Sequence, residues 1–270
     1  MIRHVPLPLA TGLALGALLA RERHRRQRSD RFAAAALESL LKAIDANDSQ
    51  TGAHVRRVAS YALVIADAVG VADRDRRTIE LAALFHDIGK IHEALFDIVH
   101  EPGKLTPSER RAVTTHPARG AEVLAPIASF HPWLADAVLA HHERWDGKGY
   151  PRRLKGRQIP IAARIVTLAD TFDAVTHHRR YRGGRTAHQA ADIIMQGRAT
   201  QFDPELVDLL LLPPVFQQLT QALRRSARLG KDLPNRREAR VKESAPKIRI
   251  RWRTESPPPA PVREHLAEAR

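Results

Sequence analysis

Apolar residues recur three and four positions apart through most of the chain, which is the spacing of one face of an α-helix. The repeat is clear in Leu37, Leu40, Leu41 and Ile44, and again in Val58, Tyr61, Ala62 and Ile65. No run that alternates apolar and polar residues rivals it, so strands are not expected. The pattern therefore predicts an all-α domain over residues 31–213.

Residues that start and stop helices punctuate this domain. Gly70 and Gly89 are suitable helix ends, and Thr106-Pro107-Ser108-Glu109 is a capping box with proline in the first turn. Asp203-Pro204 is likewise typical of a helix start. These signals divide the domain into several helices of ordinary length.

The two ends of the chain differ from the central domain. Residues 1–30 combine an uncharged run with an arginine-rich flank. Residues 214–270 hold one amphipathic stretch to about Leu229, then a basic segment with several prolines that is expected to be mobile. We therefore predict three parts, 1–30, 31–213 and 214–270.

The N-terminal run from Val5 to Ala20 is uncharged and is followed by five arginines within Arg21–Arg28. As a helix it would span about 24 Å, slightly short of a hydrocarbon core of about 30 Å. The arginines argue against a cleaved signal peptide and favour a cytoplasmic position for the rest of the chain. We predict a short anchor at the cytoplasmic face of the membrane; a misassigned start and an interfacial or soluble leader are the alternatives.

The net charge of +14 suggests a nucleic-acid or anionic-membrane binder until its location is considered. Residues 1–30 carry +4 and residues 221–270 carry +8, whereas residues 31–220 carry only +2. No helix-turn-helix, zinc-finger or RNA-binding signature accompanies this charge. Specific nucleic-acid binding is therefore not expected, and the basic ends are better suited to an anionic membrane surface.

The absence of cysteine restricts any protein-bound metal to histidine, carboxylate and water ligands. Eleven of the 14 histidines lie between His54 and His188. His86 and Asp87 are expected to close an apolar helix just before Gly89, and the carboxylate could bridge two ions. Further candidates are His54, His141, His142, Asp170 and His116. His116 is expected to end the helix that begins at Thr106. For each residue taken singly, a capping, surface or ion-pairing role is the commoner outcome; for Asp170 the partner would be Arg164.

The order of these residues matches a known family. Residues 141–151 read HHERWDGKGYP, residues 86–90 read HDIGK and residues 169–174 read ADTFDA. With these motifs the chain resembles the HD-GYP branch of the HD-domain metal-dependent phosphohydrolases, which in bacteria cleave cyclic di-GMP. The resemblance covers about two thirds of the chain, from Leu37 to about Leu212. It implies an HD-domain-like helical bundle with a two-metal centre.

The resemblance also implies the ligands of both metals. One ion would be held by His54, His86, Asp87 and Asp170, and the second by His116, His141 and His142, with Asp87 bridging the two. Iron or manganese suits these ligands, with nickel or magnesium as alternatives. Some family members bind a third ion through a glutamate four residues before the histidine that matches His54. Gln50 stands there in this chain, which favours two ions.

The family's mechanism uses a metal-bridged hydroxide, so Asp87 and Lys90 are the predicted catalytic residues. The resemblance assigns the phosphate-binding cations to Lys90, Arg179 and Arg182. Tyr150 has two interpretations, packing against a guanine of the substrate or ordering the loop Gly147–Pro151, of which we favour the second. Glu143 and Asp146 are expected to organise the same loop or to support the histidines.

The predicted function is hydrolysis of cyclic di-GMP to pGpG, with GMP as a further product left open. Ile91–Glu101 departs from the family pattern, so another cyclic dinucleotide or a nucleotide is the first alternative. A non-catalytic module that binds a nucleotide or a protein is the second, although none of the seven ligands is missing. A homodimer is left open.

Overall fold

A computed structural model describes residues 9–91, 106–177 and 184–231. Within these ranges the chain is helical and contains no β-strand, as the sequence predicts; an isolated bridge joins Arg198 to Phe202. The helices are α1 (Leu9–Asn47), α2 (Ser49–Val69), α3 (Asp73–Phe85), α4 (Pro107–Val113), α5 (His116–Leu124), α6 (Leu134–Leu139), α7 (Ile161–Thr176), α8 (Ala187–Gln196), α9 (Pro204–Leu210) and α10 (Pro213–Lys231). Short 3-10 helices occupy Ile88–Ile91, Ala125–Ile127 and Gly156–Gln158.

The core is built around α2, which packs against α3 and α7. The apolar repeat of α2 is fully buried there, and Tyr61 meets Phe172 of α7 edge to face, with ring centroids 5.1 Å apart. Each large apolar side chain buried in this way contributes about 1.5–3 kcal/mol. The packing holds α2 and α7 in a fixed relation, and each of them carries a predicted metal ligand.

Most of the predicted helix ends are confirmed. Thr106 and Glu109 form the reciprocal capping box at the start of α4, and Asp203 accepts from the Glu205 backbone N–H at 2.9 Å at the start of α9. Gly70 ends α2 with φ 72°, a left-handed conformation that suits glycine.

Gly89 does not end a helix, so that prediction is wrong. The helix before it, α3, stops at Phe85, and Gly89 lies in the 3-10 turn Ile88–Ile91. A Cβ at Gly89 would collide with the carbonyl oxygen of His116. Glycine is therefore required by the close approach of this turn to α5, a tertiary contact that the local pattern does not reveal.

The N-terminal helix α1 runs without interruption across residue 30 and includes residues 9–20 of the predicted anchor; residues 5–8 lie outside the described ranges. Among the helices described, none alone is long and apolar enough to span a membrane. One pair, α9 with Pro213–Arg228, meets that criterion together but is bent by 74°. The membrane anchor and the cytoplasmic location stay predictions.

Contacts along the chain define a unit Met1–Arg228 and a second unit Leu229–Arg270. The side chains of Val215 and Leu219 on α10 are buried, and Leu219 belongs to the main core. The first unit therefore takes core side chains from beyond residue 213. Residues 232–270, which include most of the predicted mobile tail, lie outside the described ranges.

Candidate metal centre

The seven predicted metal ligands come from separate parts of the fold that meet at one place. His54 lies within α2 and Asp170 within α7, whereas the other five lie beside helix ends: His86 and Asp87 after α3, His116 at the start of α5, and His141 and His142 after α6. The sequence placed His116 at the end of a helix, which is wrong. The preceding helix stops at Val113, and Pro117 suits the first turn of a new one.

The ligand atoms form two groups, and within each group they all lie within 4.8 Å of one another. The first group contains His54, His86 and Asp170, and the second contains Asp87, His116, His141 and His142. The fold thus brings all seven residues together. The two groups match the sets that the family resemblance implies, except that Asp87, the expected bridge, is grouped with the second set.

Asp87 stands between the two groups. Its Oδ2 lies 3.5 Å from Nε2 of His86, and its Oδ1 lies 3.3 Å from Nε2 of His116. One carboxylate oxygen therefore faces each group. This orientation is what a carboxylate needs in order to bridge two ions.

Three of the histidines are fixed by the same local hydrogen bond. Each Nδ1–H donates to the carbonyl oxygen three residues earlier: His86 to Ala83 at 2.8 Å, His116 to Val113 at 2.7 Å and His141 to Val138 at 2.6 Å. A carbonyl only accepts, so the proton belongs on Nδ1 and the lone pair on Nε2. All three Nε2 atoms are thereby prepared to bind a cation.

Buried electron donors without partners show that the residues fit divalent ions. Nε2 of His86 has no hydrogen-bond partner among the described residues, and Oδ1 of Asp87 accepts none of good geometry, although Lys90 Nζ lies 2.7 Å away. Nε2 of His116 and Nε2 of His141 lie 3.2 Å apart, so two lone pairs face each other. Buried polar atoms normally have partners, and a cation satisfies all of these. The donor set of imidazole and carboxylate suits a divalent transition metal.

The electrostatics of the site favour the protonation states that metal binding requires. Burial lowers the pKa of His86, and burial with the charge of His142 lowers the pKa of His141 well below its usual range. Burial, followed by the charge of His116, lowers the pKa of His142 to about 4. Burial acts to raise the pKa of Asp87, but the neighbouring Lys90 and His86 outweigh it and hold the pKa well below its ordinary value. Near neutral pH these three imidazoles are neutral and the carboxylate is ionised.

Of the predicted substrate-binding and catalytic cations, Lys90 lies at the site and the other two cannot be placed. Lys90 Nζ donates to Oδ2 of Asp87 at 2.8 Å. Arg179 and Arg182 lie outside the described residues, and so does most of Ile91–Glu101, the segment that departs from the family pattern.

Tyr150 packs against a predicted ligand. Its ring stacks on His142 with centroids 4.9 Å apart and an interplanar angle of 22°, and its backbone N–H donates to the His142 carbonyl at 3.3 Å. Burial raises the pKa of its hydroxyl to about 12. The contact supports a structural role for Tyr150, because the loop that carries it holds one face of the His142 ring.

Glu143 and Asp146 organise the loop around Tyr150, which is one of the two roles expected for them from the sequence. Glu143 is buried and accepts from the backbone N–H groups of Arg152 at 2.6 Å and Leu154 at 3.1 Å. Asp146 accepts from Arg144 at 2.8 Å and from the Lys148 backbone N–H at 3.0 Å. These contacts fix the loop on both sides of Tyr150.

Replacement of Tyr150 tests this role. We expect Tyr150→Ala to weaken binding of one Mn²⁺ ion about tenfold, because His142 loses the ring that orients it. Tyr150→Phe keeps the ring and should bind both ions as the wild type does. The measurement is a Mn²⁺ titration of each metal-free protein; equal affinities for the alanine variant and the wild type would contradict the assignment.

One residue beside the centre, Asp173, has no role in the sequence motifs, and one ion pair expected from the sequence is wrong. Asp173 accepts from Nδ1 of His54 at 2.7 Å, although no motif role was given to it. His177, which is not among the predicted ligands, is half-buried, and its Nδ1 lies 3.0 Å from Oδ1 of Asp173. Arg164 pairs with Asp203 instead of Asp170. The available signal for Asp173 was its spacing of three from Asp170, which places both on one helix face.

Comparison with known proteins identifies the family. Residues 38–206 match the family model described as HD domain. The 3'3'-cGAMP-specific phosphodiesterase 2 of Vibrio cholerae is 40% identical over 175 residues, which are 64% of this chain and 33% of that protein. The cyclic di-GMP phosphodiesterase response regulator RpfG of Xanthomonas campestris is 40% identical over 177 residues, 65% of this chain and 46% of that protein. The chain thus spans less than half the length of these two relatives.

A solved structure shares the fold. An HDG"Y"P protein from Bdellovibrio bacteriovorus superposes with a TM-score of 0.53 at 18% identity, over 76% of this chain and 68% of that one. At this identity the likeness concerns the fold alone, and it agrees with the helical bundle described above.

Proposed function

The chain belongs to the HD domain family, as its resemblance to the HD-GYP branch predicted, and we propose that it is a metal-dependent phosphodiesterase that hydrolyses a cyclic dinucleotide. The observation that carries the proposal is the pair of ligand groups that face the two oxygens of Asp87. Two divalent ions bound in such groups would supply a hydroxide nucleophile and neutralise charge on phosphate oxygens.

The chain's own residues prepare the site for this chemistry. The neutral histidines direct Nε2 inward, and the ionised Asp87 offers one oxygen to each group. Lys90 adds a positive charge at the edge of the site, where a phosphodiester would bring negative charge. Hydrolysis adds hydroxide to phosphorus and breaks the bond to the 3′ oxygen, which leaves with a proton. The product is a linear dinucleotide with a 5′-phosphate.

Cyclic di-GMP is the substrate that we propose first, with pGpG as the product of the first cleavage and iron or manganese as the metal. The similarity to a relative named as specific for 3'3'-cGAMP makes that cyclic dinucleotide the second candidate. Both have the same twelve-membered ring of two sugars and two phosphates and differ in one base. The base-recognising residues therefore decide between them, while the metal centre serves either.

The test uses the full chain, purified without oxygen and loaded with Mn²⁺ or Fe²⁺. We expect it to linearise cyclic di-GMP, with 3'3'-cGAMP run in parallel and the two ranked by kcat/KM. Asp208→Asn, a surface variant far from the centre in sequence, serves as an active control. A folded, metal-loaded protein that cleaves neither compound would overturn the proposal in favour of a binding module.

A further inference from the structure

Asp173 on α7 is a buried carboxylate that belongs to neither ligand group. Its side chain is 2% exposed and receives hydrogen bonds or close ion-pair contacts from three residues. Nδ1 of His54 donates to Oδ2 at 2.7 Å, and Nδ1 of His177 lies 3.0 Å from Oδ1. Arg57 donates through Nε to Oδ1 at 2.8 Å and through Nη2 to Oδ2 at 3.0 Å. Each oxygen of Asp173 therefore has two nitrogen partners, and neither oxygen is a member of a ligand group.

The position of His54 explains why such a carboxylate is needed. The three histidines that donate to a carbonyl three residues earlier lie beside helix ends, where carbonyl groups are free of helical hydrogen bonds. His54 lies inside α2, where the neighbouring carbonyls are used by the helix itself. Its Nδ1 proton must go to another element, and Asp173 of α7 supplies the acceptor.

We propose that Asp173 is a positioning residue that fixes the Nδ1–H tautomer of His54 and so directs His54 Nε2 towards the first metal group. The inference rests on the metal centre of the proposed function. On the far side of the imidazole, Nε2 lies 3.4 Å from Oδ1 of Asp170, a member of that group. The carboxylate–imidazole pair is thus aligned with the site that it serves.

Arg57 holds the positioning carboxylate in place. Its two donors grip both oxygens of Asp173, which sets the plane of the carboxylate and leaves Oδ2 facing His54. Because both oxygens receive donors from Arg57, and Oδ1 also lies beside Nδ1 of His177, the carboxylate accepts the imidazole proton of His54 at Oδ2.

A purely structural role for Asp173, as an ion pair that joins α2 to α7, makes a different prediction. In that case Arg57 is the important partner, and the imidazole tautomer and the metal affinity are independent of the carboxylate. Two experiments on the full chain separate the alternatives, and neither depends on enzymatic activity.

The first experiment reads the tautomer of His54 by ¹⁵N NMR of the metal-free protein, at a pH high enough for His54 to be neutral. The resonance is assigned by its loss in His54→Gln. We expect the proton on Nδ1 and none on Nε2. A proton found mainly on Nε2 would overturn the proposal, and this readout needs no variant of Asp173 to fold.

The second experiment is a double-mutant cycle read by Mn²⁺ titration. Asp173→Asn keeps the shape of the side chain but loses its charge. We expect this variant to bind one of the two Mn²⁺ ions about tenfold more weakly than the wild type does. His54→Gln should lower the affinity for the same Mn²⁺ ion. The double variant should bind that ion no more weakly than His54→Gln alone does. If the double variant instead loses affinity by the product of the two single losses, the two residues act independently and the proposal is overturned.

Asp208→Asn is the matched control, because Asp208 also pairs with an arginine, Arg198, but on the surface. It should leave both Mn²⁺ affinities unchanged. The wild-type titration separates this inference from the proposed function. If the wild type binds no ion, the metal centre fails while the NMR readout still decides the role of Asp173; if it binds two and Asp173→Asn binds both equally well, only the positioning role fails.

Discussion

For the proposed phosphodiesterase, replacement of Asp87 by asparagine is expected to lower kcat for cyclic dinucleotide hydrolysis by at least about 10³-fold, because Asp87 would support charge stabilisation at both ions. Asparagine keeps the shape but provides a single neutral oxygen, whereas Oδ1 and Oδ2 of Asp87 each face one ligand group. The loss should fall on kcat and on metal content together. An effect on KM alone would not fit a bridging role.

The measurement compares Asp87→Asn with Asp136→Asn, which alters a half-exposed carboxylate paired with Arg152 on the surface. Steady-state rates and metal content are determined for each, with circular dichroism to confirm the fold. The control should keep both properties. An Asp87→Asn protein that retains two ions and more than about a tenth of the rate would remove Asp87 from the centre of the mechanism.

Replacement of Asp203 by alanine is expected to have the largest effect on stability, a loss of about 3–5 kcal/mol in the free energy of unfolding. Asp203 is 3% exposed and pairs with Arg164, whose guanidinium also donates to the Ile159 carbonyl at 2.9 Å. Removing the carboxylate leaves a largely buried positive charge without its partner. It also removes the cap from the Glu205 backbone N–H at the start of α9.

Asp208→Ala provides the matched comparison, since Asp208 pairs with Arg198 through two short hydrogen bonds but is half-exposed. A surface pair of this kind contributes about 0–1 kcal/mol. Chemical denaturation of the wild type and both variants gives the difference directly. Equal losses of unfolding free energy in the two variants would contradict the prediction that the buried Arg164–Asp203 pair matters more to stability than the surface pair does.

The helical class and most helix ends could be predicted from the sequence because they depend on local features. Apolar spacing determines the buried face of α2, and the capping box at Thr106 is complete within four residues. The seven predicted ligands follow from the family motifs in the chain, and the fold brings these residues together in two groups.

The remaining features depend on contacts between distant parts of the chain. Asp173 meets His54 only because α2 packs against α7, and the two residues are 119 positions apart. Gly89 is required by the backbone of α5, and Arg164 finds its partner on a helix start 39 positions away. Local spacing contains no information about such pairings.

In the proposed centre Asp87 would join two metal ions, and electron paramagnetic resonance of the Mn²⁺-loaded full chain tests this bridge. Ions about 3.5–4 Å apart that share a bridging ligand couple magnetically. The wild type should bind two Mn²⁺ per chain and give an exchange-coupled spectrum that is lost in Asp87→Asn. Two bound ions with the spectrum of isolated Mn²⁺, or a single bound ion, would contradict the account.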